Sequence, residues 1–143
     1  MQKNTLRNAI GVVFILSHVG IFALLGYLHH IGGFDDSDLG TALSITVPIF
    51  AGYITAIVAY VIKFQAVLKP RPQRVNGMFV FVGLFLPLAF IAFIVITIFR
   101  KSSGELKIAQ FQMYMAATET LLAAYVGAIM TSLYNYDPTK GDA

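Results

Sequence analysis

Four stretches of about twenty residues each, nearly free of charge, constrain this chain more than any other feature. They run from about 8–28, 39–62, 77–99 and 112–134. A helix needs roughly twenty apolar residues to cross a hydrocarbon core of about 30 Å, so each stretch reads as a membrane span. Composition agrees: 57% of the residues are hydrophobic and 12% are charged. A soluble domain carries about a quarter charged residues to wet its surface, and half that supply leaves apolar side chains facing lipid. The expected fold is all-α, a bundle of four transmembrane helices making one transmembrane domain over residues 1–143.

The connections divide the helices cleanly. His29-His30-Ile31-Gly32-Gly33-Phe34-Asp35-Asp36-Ser37-Asp38 separates the first two, with a glycine pair as breaker and an acidic run. The segment from Lys63 to Arg74 holds Pro70 and Pro72, which cannot continue a helix. Arg100-Lys101-Ser102-Ser103-Gly104-Glu105 closes the third helix. The N-terminal apolar run follows Lys3 and Arg7 as a signal peptide's would, but it is too long, contains His18, and lacks a small-x-small cleavage site; it reads as a retained helix.

Lys and Arg bias sets orientation, because positive loops stay in the cytoplasm. Lys3, Arg7, Lys63, Lys69, Arg71, Arg74 and Lys140 fall on one side, and Arg100, Lys101 and Lys107 on the other. Both termini are therefore expected inside, in a bacterial cytoplasmic membrane. The basic loop with Lys63, Lys69, Arg71 and Arg74 would touch anionic headgroups or dock a cytoplasmic protein. Asp35, Asp36 and Asp38 would cap the second helix or ring an outer pore mouth. Basic residues gathered at helix ends give no face for nucleic acid.

Helix association in lipid relies on close packing of small residues. The second helix carries Ser44, Pro48, Gly52 and Thr55 in one stripe, followed by Ala59. The fourth carries Ala116, Thr120, Ala123, Gly127 and Thr131. The third bulges with Phe79, Phe81, Phe85, Phe90, Phe93 and Phe99 and reads as the lipid-facing wall, which leaves the interior to helices one, two and four. Pro48 and Pro87 each remove a helix hydrogen bond and kink their helices.

Only His18 and Glu119 are ionisable and deep within these stretches. An intramembrane carboxylate is costly and so marks function by default. At about 1.5 Å per residue the two lie within roughly 6 Å in height, so they can pair within or between subunits. Three roles remain open for the pair: a structural polar clamp (Glu119 sharing it with Thr118, Thr120 or a tyrosine), an ion or proton path, and a ligand or quinone site. No metal or haem constellation, catalytic triad or phosphate loop is present in the sequence, so no cofactor and no enzymatic activity are expected.

The layout, with Leu39-Gly40-Thr41-Ala42-Leu43-Ser44 opening helix two and Ser132-Leu133-Tyr134-Asn135 closing helix four, resembles phage-exclusion membrane proteins of the RexB type. That resemblance implies a small ion-conducting protein that depolarises the membrane in antiviral defence. Four helices of one subunit leave no room for a water-filled path, so the expectation is a homo-oligomeric channel or membrane-perturbing effector. The alternatives are a non-conducting anchor or sensor that recruits a partner through the basic loop, and a small transporter or respiratory-complex subunit.

Overall fold

The computed structural model describes residues 2–65 and 75–134, with side chains described except at 56–57, 59–65 and 130–134. It is all-helical: α1 (Lys3–His30), α2 (Asp36–Gln65), α3 (Gly77–Ser102) and α4 (Ile108–Tyr134). Each expected helix is present and runs a few residues past its apolar stretch, because polar ends continue the backbone ladder until a cap stops it. Three are long and apolar enough to cross a membrane: α1, α2 over Asp36–Thr55, and α3. They mark the chain as a membrane-type protein. α4, which carries Glu119 and several hydroxyls and amides, does not reach that threshold over its described residues.

Both hairpin turns are built alike. α1 ends with Gly32 at φ +81° and a Gly33 N–H to Leu28 C=O bond of 2.8 Å; α3 ends with Gly104 at φ +78° and a Glu105 N–H to Arg100 C=O bond of 3.0 Å. This six-to-one closure over a left-handed residue is the Schellman motif, and the positive φ is why glycine stands there. The next helix is then capped at once. Asp35 Oδ1 accepts from Asp38 N–H at 2.7 Å, and Gln110 Oε1 accepts from Lys107 N–H at 3.2 Å. α2 consequently starts at Asp36, earlier than the apolar pattern alone implied. The two hairpins also meet, since a Cβ at Gly33 would strike Ser102 Oγ.

The helices form a four-cornered bundle. α1 packs on α2 and α3, α4 packs on α2 and α3, α1 and α4 touch across the middle, and α2 and α3 sit at opposite corners. The core runs along the axis, from Leu6, Ile10 and Phe14 through Ile21 and Leu25 on α1, with Ile94, Ile98, Met115 and Leu122 opposite.

The expectation that α3 is a wall outside an interior of α1, α2 and α4 needs correction. Phe81, Phe85, Phe93 and Phe99 do point outward, but Phe79 and Phe90 are half-buried and pack against the core. The inner face of α3, with Gly83, Pro87, Ile94, Thr97 and Ile98, is buried as deeply as any in the bundle. A Cβ at Gly83 would lie 3.5 Å from Ile10 Cδ1, an ordinary van der Waals contact, so α3 packs directly on α1 here. Near the Pro87 break, Tyr125 on α4 donates its hydroxyl to the Val82 carbonyl at 3.1 Å, tying α4 to α3.

Candidate functional site

The sequence singled out His18 and Glu119, and the structure buries both completely, on the two helices that face each other across the bundle. His18 is held by its own helix and by aromatic rings. Its Nδ1 lies 2.9 Å from the Phe14 carbonyl oxygen. That oxygen can only accept, so the bond places the hydrogen on Nδ1 and leaves Nε2 of the neutral ring a bare lone pair. Phe50 stacks on the imidazole with centroids 5.0 Å apart and planes 10° apart, and Phe14 lies at 6.1 Å on a tilt of 29°.

Tyr53 completes the cluster, and the sequence reading missed it. It stands seven residues after Thr46 on the inward face of α2, its ring edge-on to His18 at 5.6 Å, and it is buried. Glu119, also fully buried, stands near the middle of α4, which packs on α2. Seven tyrosines in an apolar chain read first as interfacial anchors. The available signal was the 42, 46, 53 spacing, two turns of one helix face, which groups Tyr53 with buried Ala42 and Thr46.

These polar groups do not satisfy one another. Among the described residues, His18 Nε2, the Tyr53 hydroxyl and both carboxyl oxygens of Glu119 are buried without a hydrogen-bond partner. No hydrogen bond or ion pair joins His18 to Glu119. The threonines that could have formed a clamp with Glu119 are spent on their own helix: Thr118 donates to Tyr114 C=O and Thr120 to Ala116 C=O, each at 2.7 Å. Fully buried Met115 and Leu122 flank Glu119 one turn to either side on α4, with Phe111 and Val126 beyond them. The three polar side chains thus occupy a sealed position midway along the bundle.

The other expected residues fall elsewhere. Ser44, Pro48, Gly52, Thr55, Thr120 and Gly127 are exposed on the outside of the bundle, Ala123 is half-buried, and the side chain of Thr131 lies outside those described. Ser44 and Thr55 bond back to Thr41 and Ala51 carbonyls, so their hydroxyls need nothing from a neighbour. Within one chain the α2 stripe turns away from the core, and of the α4 stripe Ala123 packs against it. The bundle is joined instead by the opposite faces of α2 and α4.

The acidic run is used locally. Asp38 pairs with Lys101 with both side chains largely covered (12% and 15% exposed), Asp35 caps α2, and Asp36 lies 3.6 Å from His29. Phe34, buried, sets its ring against Phe111 at 5.7 Å beneath them. Pairing and burial withdraw Asp38 from a pore-mouth role, while Asp35 and Asp36 stay exposed. Lys69, Arg71 and Arg74 lie outside the described residues, and of Lys63 only the backbone is described. Between α3 and α4 an open groove of about 430 Å³, lined by Phe90, Phe93, Tyr114 and Leu121, is almost wholly apolar. No group of three or more metal-ligating side chains occurs among the described residues.

No protein-family model, curated protein or solved structure matches this chain.

Proposed function

We propose that this chain is a four-span protein of the bacterial cytoplasmic membrane, with both termini inside, that conducts ions as a homo-oligomer and serves as a depolarising effector in antiphage defence. The observation that carries the conducting role is the sealed trio of His18, Tyr53 and Glu119, in which His18 Nε2, the Tyr53 hydroxyl and both Glu119 carboxyl oxygens find no partners. A buried polar atom left unpaired costs about 1–3 kcal/mol, and a polar clamp would have paired them. Groups kept unpaired at that cost are groups kept free for something that comes and goes.

Two further features support the reading. Ser44, Pro48, Gly52 and Thr55 on α2 face outward, and at Gly52 a Cβ would meet nothing, so a second helix can approach there. α4 crosses the membrane in this reading because α2 and α3 shield its polar side, while Met113 and Leu121, each 57% exposed, present apolar surface to lipid.

The test is a potential-sensitive dye in cells expressing the chain, at rest and during phage infection. The expected outcome is loss of membrane potential with the wild-type chain, and none with Glu119→Gln at equal membrane abundance. A potential indistinguishable from that of cells lacking the chain, in both conditions, would remove the ion-conducting reading.

A further inference from the structure

We propose that the ion taken by this site is the proton, carried between Glu119 and His18 Nε2 with the Tyr53 hydroxyl as the bridging group; this rests on the conducting role proposed above. The inventory of unpartnered atoms points to it. A dehydrated metal cation wants about six oxygen ligands. The buried unpartnered atoms among the described residues supply three oxygens in this cluster, two of them on one carboxyl group, together with one nitrogen. A proton needs only one lone pair at a time.

Each member of the trio offers what a proton relay needs. The Phe14 carbonyl keeps a hydrogen on Nδ1, so Nε2 is a base with its lone pair open. The stacked face of Phe50 stabilises an imidazolium by cation–π attraction. Tyr53, edge-on to His18 and on the helix that packs against α4, carries a hydroxyl that can accept one proton while releasing its own. A proton bound to the Glu119 carboxylate as O–H passes to the Tyr53 oxygen as the Tyr53 hydrogen moves to Nε2. The result is imidazolium with its Nδ1–H kept, a carboxylate, and an unchanged phenol. None of the three is hydrogen-bonded to another in this structure, so each transfer requires a side-chain rotation or one bridging water. The fully buried Met115 and Leu122 that bracket Glu119 close the site to a hydrated cation.

No other described titratable side chain is placed in the cluster. α3 carries none between Gly77 and Phe99. On α1, Arg7 bonds Asn4 three turns toward the N-terminus and His29 lies at the hairpin end; on α2, Asp38 is paired with Lys101; on α4, Tyr125 is committed to Val82 and Tyr114 faces the α3 groove.

The experiment places the purified full-length chain in lipid vesicles holding a pH-sensitive dye, under an imposed potential, with potassium and sodium gradients read in parallel. The expected result is potential-driven proton uptake with neither metal ion moving. Tyr53→Phe and His18→Gln lower proton flux by about a hundredfold, the scale on which a positioned proton-transfer group acts. Leu16→Ala, on the exposed side of α1, retains it. Infrared spectra supply a readout independent of flux: a protonated-carboxyl band that disappears in Glu119→Gln and shifts in Tyr53→Phe. Potassium or sodium movement without proton uptake would overturn the proton assignment and leave the conducting role standing. Failure of every gradient to decay would overturn both. Undiminished proton flux in both Tyr53→Phe and His18→Gln, with an unshifted band, would overturn the relay.

Discussion

The hairpin end of the bundle and its middle treat polar side chains in opposite ways. At the hairpin end nearly everything is matched: Asp38 with Lys101, Arg100 with Glu105, Asp35 with the α2 backbone, and His29 with the Phe34 carbonyl at 3.1 Å. In the middle, His18 Nε2, Tyr53 and Glu119 are buried and unmatched. In the membrane reading, water would satisfy the hairpin-end groups without help, whereas nothing in hydrocarbon relieves the middle ones. A chain that pairs polar groups where pairing is least needed, and leaves them unpaired where the cost is highest, is not using its midsection as a clamp.

Stability measurements can break that contrast. The largest expected effect is at the middle, where Glu119→Leu should raise stability in detergent by about 1–4 kcal/mol, as apolar replacements of buried polar groups often do. Ion flux should vanish in the same variant. A loss of stability of that size in reversible unfolding would restore the clamp. Next comes the cap: Lys101→Ala leaves Asp38 covered and unpaired, for a loss of about 1–3 kcal/mol. The double variant with Asp38→Ala should recover part of that loss, which thermal unfolding of the three proteins would show. Smallest is Arg100→Ala. The Arg100–Glu105 pair is about half exposed on both sides, so its removal should change stability by less than about 1 kcal/mol. An effect equal to that of Lys101→Ala would mean that burial does not distinguish the two pairs.

Much of the architecture was legible in the residues. The four helices follow from apolar length, the turns from Gly32 and Gly104, and the depth of His18 and Glu119 from their place within their helices. The outward turn of Phe81 and Phe85 was legible too, because lipid rewards bulk as a core does. That same fact hid the role of α3. When both the lipid and the interior are apolar, hydrophobicity cannot say which face of a helix is inside, and Ile94 and Ile98 look no different from the exposed Ile96. Nor does composition say whether a small-residue stripe packs within the chain: the hydroxyls of exposed Ser44 and Thr55 bond to their own helix and so can face outward at little cost.

Sequence by itself determined that this chain makes long apolar helices, where they reverse, and that one histidine and one glutamate are carried deep within them. These are local properties, set by hydropathy, by left-handed glycines and by capping side chains within a few residues of each turn. Only the tertiary structure decided that α1 and α4 face each other across the bundle, that Tyr53 and Phe50 gather on His18, and that Lys101 pairs with Asp38. Those depend on how each helix is rotated about its axis, and rotation is settled by the fit of Gly83 against Ile10 and of Phe50 against His18, contacts between residues far apart in the chain.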